Sequence, residues 1–180
     1  MDGFSLLTSR VVLQEDTIRV IARSLANAIK HMHDQALVHR DIKLENFLLM
    51  DHLASDIKLA DFGFTMQCGQ TPPSYQCTPA YVPPEVLHAK QVGYHLPAHR
   101  AADMWSLGVT LYTLFTGQYP FGKGITVADH NRILHGTLAF RPDHWIGVSE
   151  HAKSIVRSLL VVDVNHRMTV DQMLDAEWMQ

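Results

Sequence analysis

Between Arg100 and Thr116 the chain runs Ala-Ala-Asp-Met-Trp-Ser-Leu-Gly-Val-Thr-Leu-Tyr-Thr-Leu-Phe, a helical pattern that is apolar on nearly every face. Such a helix cannot lie on a surface, because other elements must surround it and supply the polar exterior. Its polar interruptions make it too broken to span a membrane, and no other run reaches the length a span needs. With 180 residues and 47% hydrophobic side chains, the chain can wrap one core of this kind but not build two full domains.

The remaining pattern supplies the wrapping. From Thr17 to Gln35, Ile18, Ile21, Ala22, Leu25, Ile29 and Met32 recur at helical spacing, with Asp16 placed to act as N-cap. The period then changes, and short apolar runs at Leu37-Val38, Phe47 to Met50 and Ile57 to Ala60 read as small strands or hairpins. Further helices are expected at Val127 to Leu134, Ser149 to Leu160 and Val170 to Ala176, the last opened by a Thr169-x-x-Gln172 capping box. Residues 63–84 hold several prolines and small polar residues without periodicity, which marks a regulatory or mobile loop. The expected fold is mainly α with a few short β-hairpins, without internal repeats or a dividing linker.

Lys and Arg total 15 against 18 Asp and Glu, so the chain lacks the basic field that nucleic acid or anionic lipid would require. A protein partner is expected instead; oligomeric state is not legible. Met1-Asp2-Gly3 opens no secretory signal, so a cytoplasmic or nuclear location is expected. Cys68 and Cys77 are too few for a disulfide scaffold and read as reduced thiols, the sharper alternative being a redox clip between them.

Two clusters carry the chemistry. His39-Arg40-Asp41-Ile42-Lys43-Leu44-Glu45-Asn46 sits between two strand patterns, joins a carboxylate to a cation and resembles the H-R-D-x-x-x-x-N catalytic loop of protein kinases. Phosphoryl transfer needs just such a pair, one group to orient the attacking hydroxyl and one to neutralise charge on the phosphoryl oxygens. The bland alternative is a solvated charged loop. Asp61-Phe62-Gly63 follows the Ile57 strand, and its carboxylate is a hard oxygen ligand of the type magnesium prefers. Asn46 adds an amide oxygen for a second magnesium, and Phe62 is expected to pack as an apolar latch that sets the direction of Asp61.

These clusters resemble the catalytic loop and the D-F-G motif of protein kinases. Cys77-Thr78-Pro79-Ala80-Tyr81-Val82-Pro83-Pro84-Glu85 is similar to the G-T-x-x-Y-x-A-P-E segment of that family, with Cys77 and Pro83 departing from it. Asp103-Met104-Trp105-Ser106-Leu107-Gly108 resembles the opening of the family's central helix. The resemblance covers residues 1–180 as the C-terminal lobe of a kinase domain, with a catalytic loop at 39–46, an activation segment at 61–85 and a helical subdomain at 100–180. It implies ATP and Mg2+, with Asp41 as base, Lys43 on the γ-phosphate, Asn46 and Asp61 on the metal, and Leu48 beneath the adenine. Lys43 favours serine or threonine as acceptor, and Glu45 would attract a basic residue of the protein substrate. The resemblance makes Arg40 the receiver of a phosphate on the activation segment, with Thr71, Ser74 and Tyr75 as acceptors and Thr78 in the same regulatory group. His39, Phe62 and Asp103 take structural roles, and Glu85 pairs with Arg167. The wording of the catalytic loop and central helix looks like the calcium/calmodulin or stress-kinase branch.

The family's Gly-x-Gly-x-x-Gly loop and strand lysine are not found in the sequence, so the N-terminal sheet lobe is expected to be absent and ATP to lack its roof. A rival reading is therefore a truncated, non-catalytic binding module; a small-molecule phosphotransferase is a third. Gly117 to Gly124 nearly spells a different phosphate loop but ends in Gly124 where a Ser or Thr must hold magnesium. His31, His33 and His39 crowd together, yet helical spacing puts the first two on different faces, against a zinc site.

Overall fold

The computed structural model describes residues 13–49, 57–74 and 77–180. Helix α1 (Glu15–Asp34) leads into two strand pairs. In the first, β1 (Leu37–Val38) runs antiparallel to β4 (Met66–Gln67), with Val38 opposite Met66. In the second, β2 (Phe47–Leu49) runs antiparallel to β3 (Ile57–Leu59), with Phe47 opposite Leu59. Five helices follow: α2 (Pro84–Gln91), α3 (Arg100–Thr116), α4 (Val127–His135), α5 (Glu150–Leu159) and α6 (Val170–Asp175). No strand occurs after Gln67 among the described residues, so the architecture is mostly helical with two small antiparallel sheets.

Helix α3 is the axis of the molecule and is continuously buried from Asp103 to Leu114. It packs against α5, α1, β1 and the 3-10 turn Pro79–Tyr81. Burial of its threonine hydroxyls costs little, because each finds a carbonyl within the helix. Thr110 donates to Ser106 O at 2.9 Å, Thr113 to Val109 O at 2.8 Å and Thr116 to Tyr112 O at 2.8 Å. The close approach of α5 requires Gly108: a Cβ there would lie 2.9 Å from Leu159 Cβ and 2.9 Å from Leu160 Cγ. No helix among the described residues is long and apolar enough to cross a membrane.

Several boundaries differ from the sequence pattern. Helix α1 starts at Glu15, its N-cap is Gln14, and Asp16 lies inside the first turn, where it pairs with Arg19 at 2.9 Å. The reason is long-range. The Glu15 carboxylate accepts hydrogen bonds from Ser149 N at 2.7 Å and Trp178 Nε1 at 2.8 Å, which draws this residue onto the body of the protein. Helix α2 begins where the expected loop at residues 63–84 ends and fills a stretch to which the pattern assigns no element; Pro84 occupies its first turn, where a missing N–H costs nothing. The capping box at Thr169 and Gln172 is present and opens α6. Gly124 has a φ of +69°, and any side chain there would meet the Pro79 carbonyl, so this glycine serves a packed turn and not a phosphate loop.

Candidate active site

The loop between β1 and β2 is held from below by one carboxylate. Asp103, in the first turn of α3, accepts from His39 N at 2.9 Å and from Arg40 N at 2.8 Å. His33 Nε2 completes the set at 2.9 Å from the same carboxylate, and both side chains are buried. A helix N-terminus is a favourable place for this negative charge. The two backbone bonds fix Arg40 at a φ of +70°, a left-handed conformation that a non-glycine residue adopts only when its surroundings impose it.

The turn so produced presents Asp41, only 3% exposed, to a converging group of donors. Lys43 Nζ donates to Asp41 Oδ2 at 2.5 Å, Asn46 Nδ2 to the same oxygen at 2.9 Å, and Thr78 Oγ1 to Oδ1 at 2.7 Å. Lys43 also reaches Thr78 Oγ1 at 3.2 Å, and Asn46 Nδ2 bonds Asp41 O at 2.8 Å. A carboxylate oxygen has two acceptor sites, so Oδ1 keeps one for a hydroxyl brought by another molecule. Beneath this group the Tyr81 hydroxyl accepts from Leu44 N at 3.5 Å, and burial pushes its ionisation far above the usual phenol range.

The second loop is tied to the first through Ala60. Ala60 N donates to Asn46 O at 2.8 Å, and the Ala60 carbonyl lies 3.1 Å from His39 Nε2. His39 Nδ1 accepts from Asp41 N at 3.3 Å, so one neutral tautomer, protonated on Nε2, satisfies both contacts. Asp61 follows at a φ of +59°, with Gly63 N donating to its Oδ1 at 3.2 Å. Its carboxylate is open to solvent and does not line the cavity that Asp41 faces. Phe62 is 54% exposed, with its ring 5.3 Å from that of His39, so it is not enclosed in an apolar pocket as the sequence reading expects.

Magnesium fits this donor set. Asn46 commits its amide nitrogen to Asp41 and leaves its oxygen for a cation, and Asp61 adds an exposed carboxylate. No group of three or more His, Cys, Asp or Glu among the described residues could hold a metal ion, and magnesium needs no such cage, since it binds through one or two protein oxygens, water and phosphates.

The other candidate residues are dispersed. Arg40 Nη1 is directed to Phe64 O at 3.2 Å and Met66 Sδ at 3.0 Å, and burial holds its guanidinium pKa below the usual value. Thr71 and Ser74 are exposed on the loop beyond β4, and Tyr75 lies outside the described residues. Glu45 is exposed, and Leu48 on β2 is 38% exposed. Glu85 meets Arg167 through two parallel bonds of 2.8 Å, and Arg167 also donates to Ala101 O, Val161 O and Val162 O. The three crowded histidines take three different partners: His31 meets Gln35, His33 meets Asp103 and His39 meets Ala60. The sequence weighs His33 only as a zinc ligand and gives it no role at the loop; the signal for one was its place on the buried face of α1 beside Ile29 and Met32.

Comparison with known proteins identifies the family. The sequence matches the family model described as Protein kinase domain over residues 1–179. It is 35% identical to the Probable serine/threonine-protein kinase fhkC of Dictyostelium discoideum, over 97% of this chain and 29% of that one. It is 36% identical to the Phosphorylase b kinase gamma catalytic chain, liver/testis isoform, of Rattus norvegicus, over 95% and 42% respectively. The Serine/threonine-protein kinase DCLK3 of Homo sapiens is 37% identical, over 99% and 27%. The chain thus spans less than half the length of each of these relatives.

Proposed function

This chain belongs to the protein kinase family, and from that premise we propose that it transfers the γ-phosphoryl group of ATP to serine or threonine hydroxyls of protein substrates. On this reading residues 1–180 are the C-terminal lobe portion of the kinase domain, with the catalytic loop at 39–46, the activation segment at 61–85 and the helical subdomain at 100–180. The similarity to a phosphorylase kinase catalytic chain and to DCLK3 supports the calcium/calmodulin-type branch.

Asp41 is the base in this reading. Its Oδ1 receives the proton of the attacking alcohol, while Thr78, Lys43 and Asn46 hold the carboxylate in one orientation. Lys43 places a cation beside the same carboxylate, to stabilise charge on the transferred phosphoryl oxygens. Asn46 and Asp61 would hold magnesium, which when bound neutralises phosphate charge. Leu48 offers an apolar face to the adenine, and exposed Glu45 attracts a basic residue near the acceptor. Arg40 is the regulatory cation for an activation-segment phosphate on Thr71, Ser74 or Tyr75. His39, Phe62, Asp103, Glu85 and Arg167 are its scaffold.

The observation that carries the proposal is the bond from Thr78 to Asp41, since it joins the activation segment to the base itself. The test is magnesium-dependent transfer from ATP to a generic basic peptide. Asp41→Asn is expected to lower the rate by about 10²–10⁴-fold, the usual contribution of a positioned base. Transfer by Asp41→Asn at the parent rate would refute the assignment.

A further inference from the structure

Both cysteines of the chain are free, partly buried, and line one cavity of about 370 Å³. Tyr81, Val82, Val86, Leu96 and Pro97 form apolar walls, and Arg40 and Asp41 reach it from the catalytic side. The two thiols come from separately anchored walls. Cys68 N donates to Ala36 O at 2.7 Å and Gly69 N to Ala98 O at 2.8 Å, which fixes the first wall. Cys77 directly precedes Thr78, whose hydroxyl is bound to Asp41. We propose that Cys68 and Cys77 form a dithiol modification site, which hydrogen peroxide converts to an intramolecular disulfide across this cavity.

The order of steps follows from the surroundings. Burial pushes the Cys77 thiol up, so it stays protonated and is the poorer first nucleophile. Cys68, giving up its proton, therefore attacks one peroxide oxygen; the O–O bond breaks, Cys68 becomes the sulfenic acid, and the departing hydroxide takes up that proton and leaves as water. Cys77 sulfur then attacks the Cys68 sulfur, the S–O bond breaks, and the hydroxyl leaves as a second water with the Cys77 proton. In total two thiols lose two electrons and two protons, and one peroxide is reduced to two waters. The new bond constrains Cys77, which directly precedes Thr78, and through it bears on the Thr78 contact with Asp41. That this would slow phosphoryl transfer rests on the kinase reading, whereas formation of the bond does not.

The test is intact and peptide mass spectrometry of the 180-residue chain after limited peroxide, under non-reducing conditions. The expected product has lost two hydrogens, carries a Cys68–Cys77 link and reverts with dithiothreitol. In Cys77→Ser the sulfenic acid on Cys68 persists and is captured by dimedone; in Cys68→Ser the remaining thiol is largely spared at the same dose. Repeating the reaction in urea separates a folded site from mere nearness in sequence, with the link expected to form severalfold faster in the native chain. Native linkage no faster than in urea, or separate oxidation of each cysteine without a link, overturns the proposal. Amide exchange over residues 41–46 is expected to rise on oxidation and return on reduction; exchange that does not change overturns the coupling to Asp41. None of these readouts depends on transfer activity, so failure of the kinase reading and failure of this site are told apart.

Discussion

Asp103 accepts three hydrogen bonds, from His33, His39 and Arg40, and thereby holds α1, the loop between β1 and β2, and α3 in one arrangement. An asparagine of the same shape has one acceptor oxygen and no charge, so one of the buried donors loses its partner. Charge-assisted bonds of this kind contribute about 1.5–3 kcal/mol, and Asp103→Asn is expected to lose about 2 kcal/mol in urea denaturation. A comparable anchor lies at the other end of the molecule, where Glu15 binds Ser149 and Trp178. Burial alone would raise its pKa, but the hydrogen bonds from Ser149 and Trp178 outweigh it and hold the carboxyl below the usual range. A carboxyl depressed by folding contributes stability that is present above its unfolded pKa and is lost as pH falls through the folded one. Glu15→Gln is therefore expected to be less stable than the parent at neutral pH, with the gap narrowing in acid. Denaturation curves across that range check the sign, and a gap that widens in acid contradicts it.

Among the elements, α3 was the most legible and also the least tolerant. Its all-round apolar pattern could satisfy no surface position, and its neighbours approach closely enough to forbid a Cβ at Gly108. Alanine there would add about 1 kcal/mol of helix propensity. Overpacking against Leu159 Cβ, which no rotamer change can move, costs about 1–3 kcal/mol. A net loss of about 1 kcal/mol in Gly108→Ala is the expected outcome of a thermal melt. The bidentate Glu85–Arg167 pair joins α2 to the segment before α6, with the Arg167 guanidinium wholly buried. Removing Glu85 leaves that charge unpaired; Glu85→Ala is expected to cost about 3 kcal/mol, measured by urea unfolding. Helix α2 itself escaped the sequence pattern, which ended a loop at Pro84 and assigned nothing to residues 85–91, although proline is well suited to a first turn. Strand β4 escaped because its two residues, Met66 and Gln67, carry no alternation and become a strand only by pairing with β1.

For the molecule as a whole, the order of motifs made the family legible, because Asp41, Asp61, Glu85, Asp103 and Arg167 fall in a sequence that few other chemistries share. Their mutual contacts were not legible. That Thr78 would donate to Asp41, or that Ala60 would be tied at once to His39 and Asn46, depends on how β2, β3 and the turn at Pro79 pack around α3. The exposure of Asp61 and Phe62 was equally hidden, since local pattern says nothing of what covers a loop. The claim on which the functional account turns is a division of labour between two carboxylates, Asp41 handling a proton and Asp61, with Asn46, holding a cation. Its most direct measurement is nucleotide affinity beside transfer rate in Asp41→Asn and Asp61→Asn, each titrated with magnesium. The account predicts that Asp41→Asn keeps magnesium-dependent nucleotide binding and loses transfer, whereas Asp61→Asn loses the magnesium dependence of binding itself. Identical binding and turnover in both variants and the parent would contradict it.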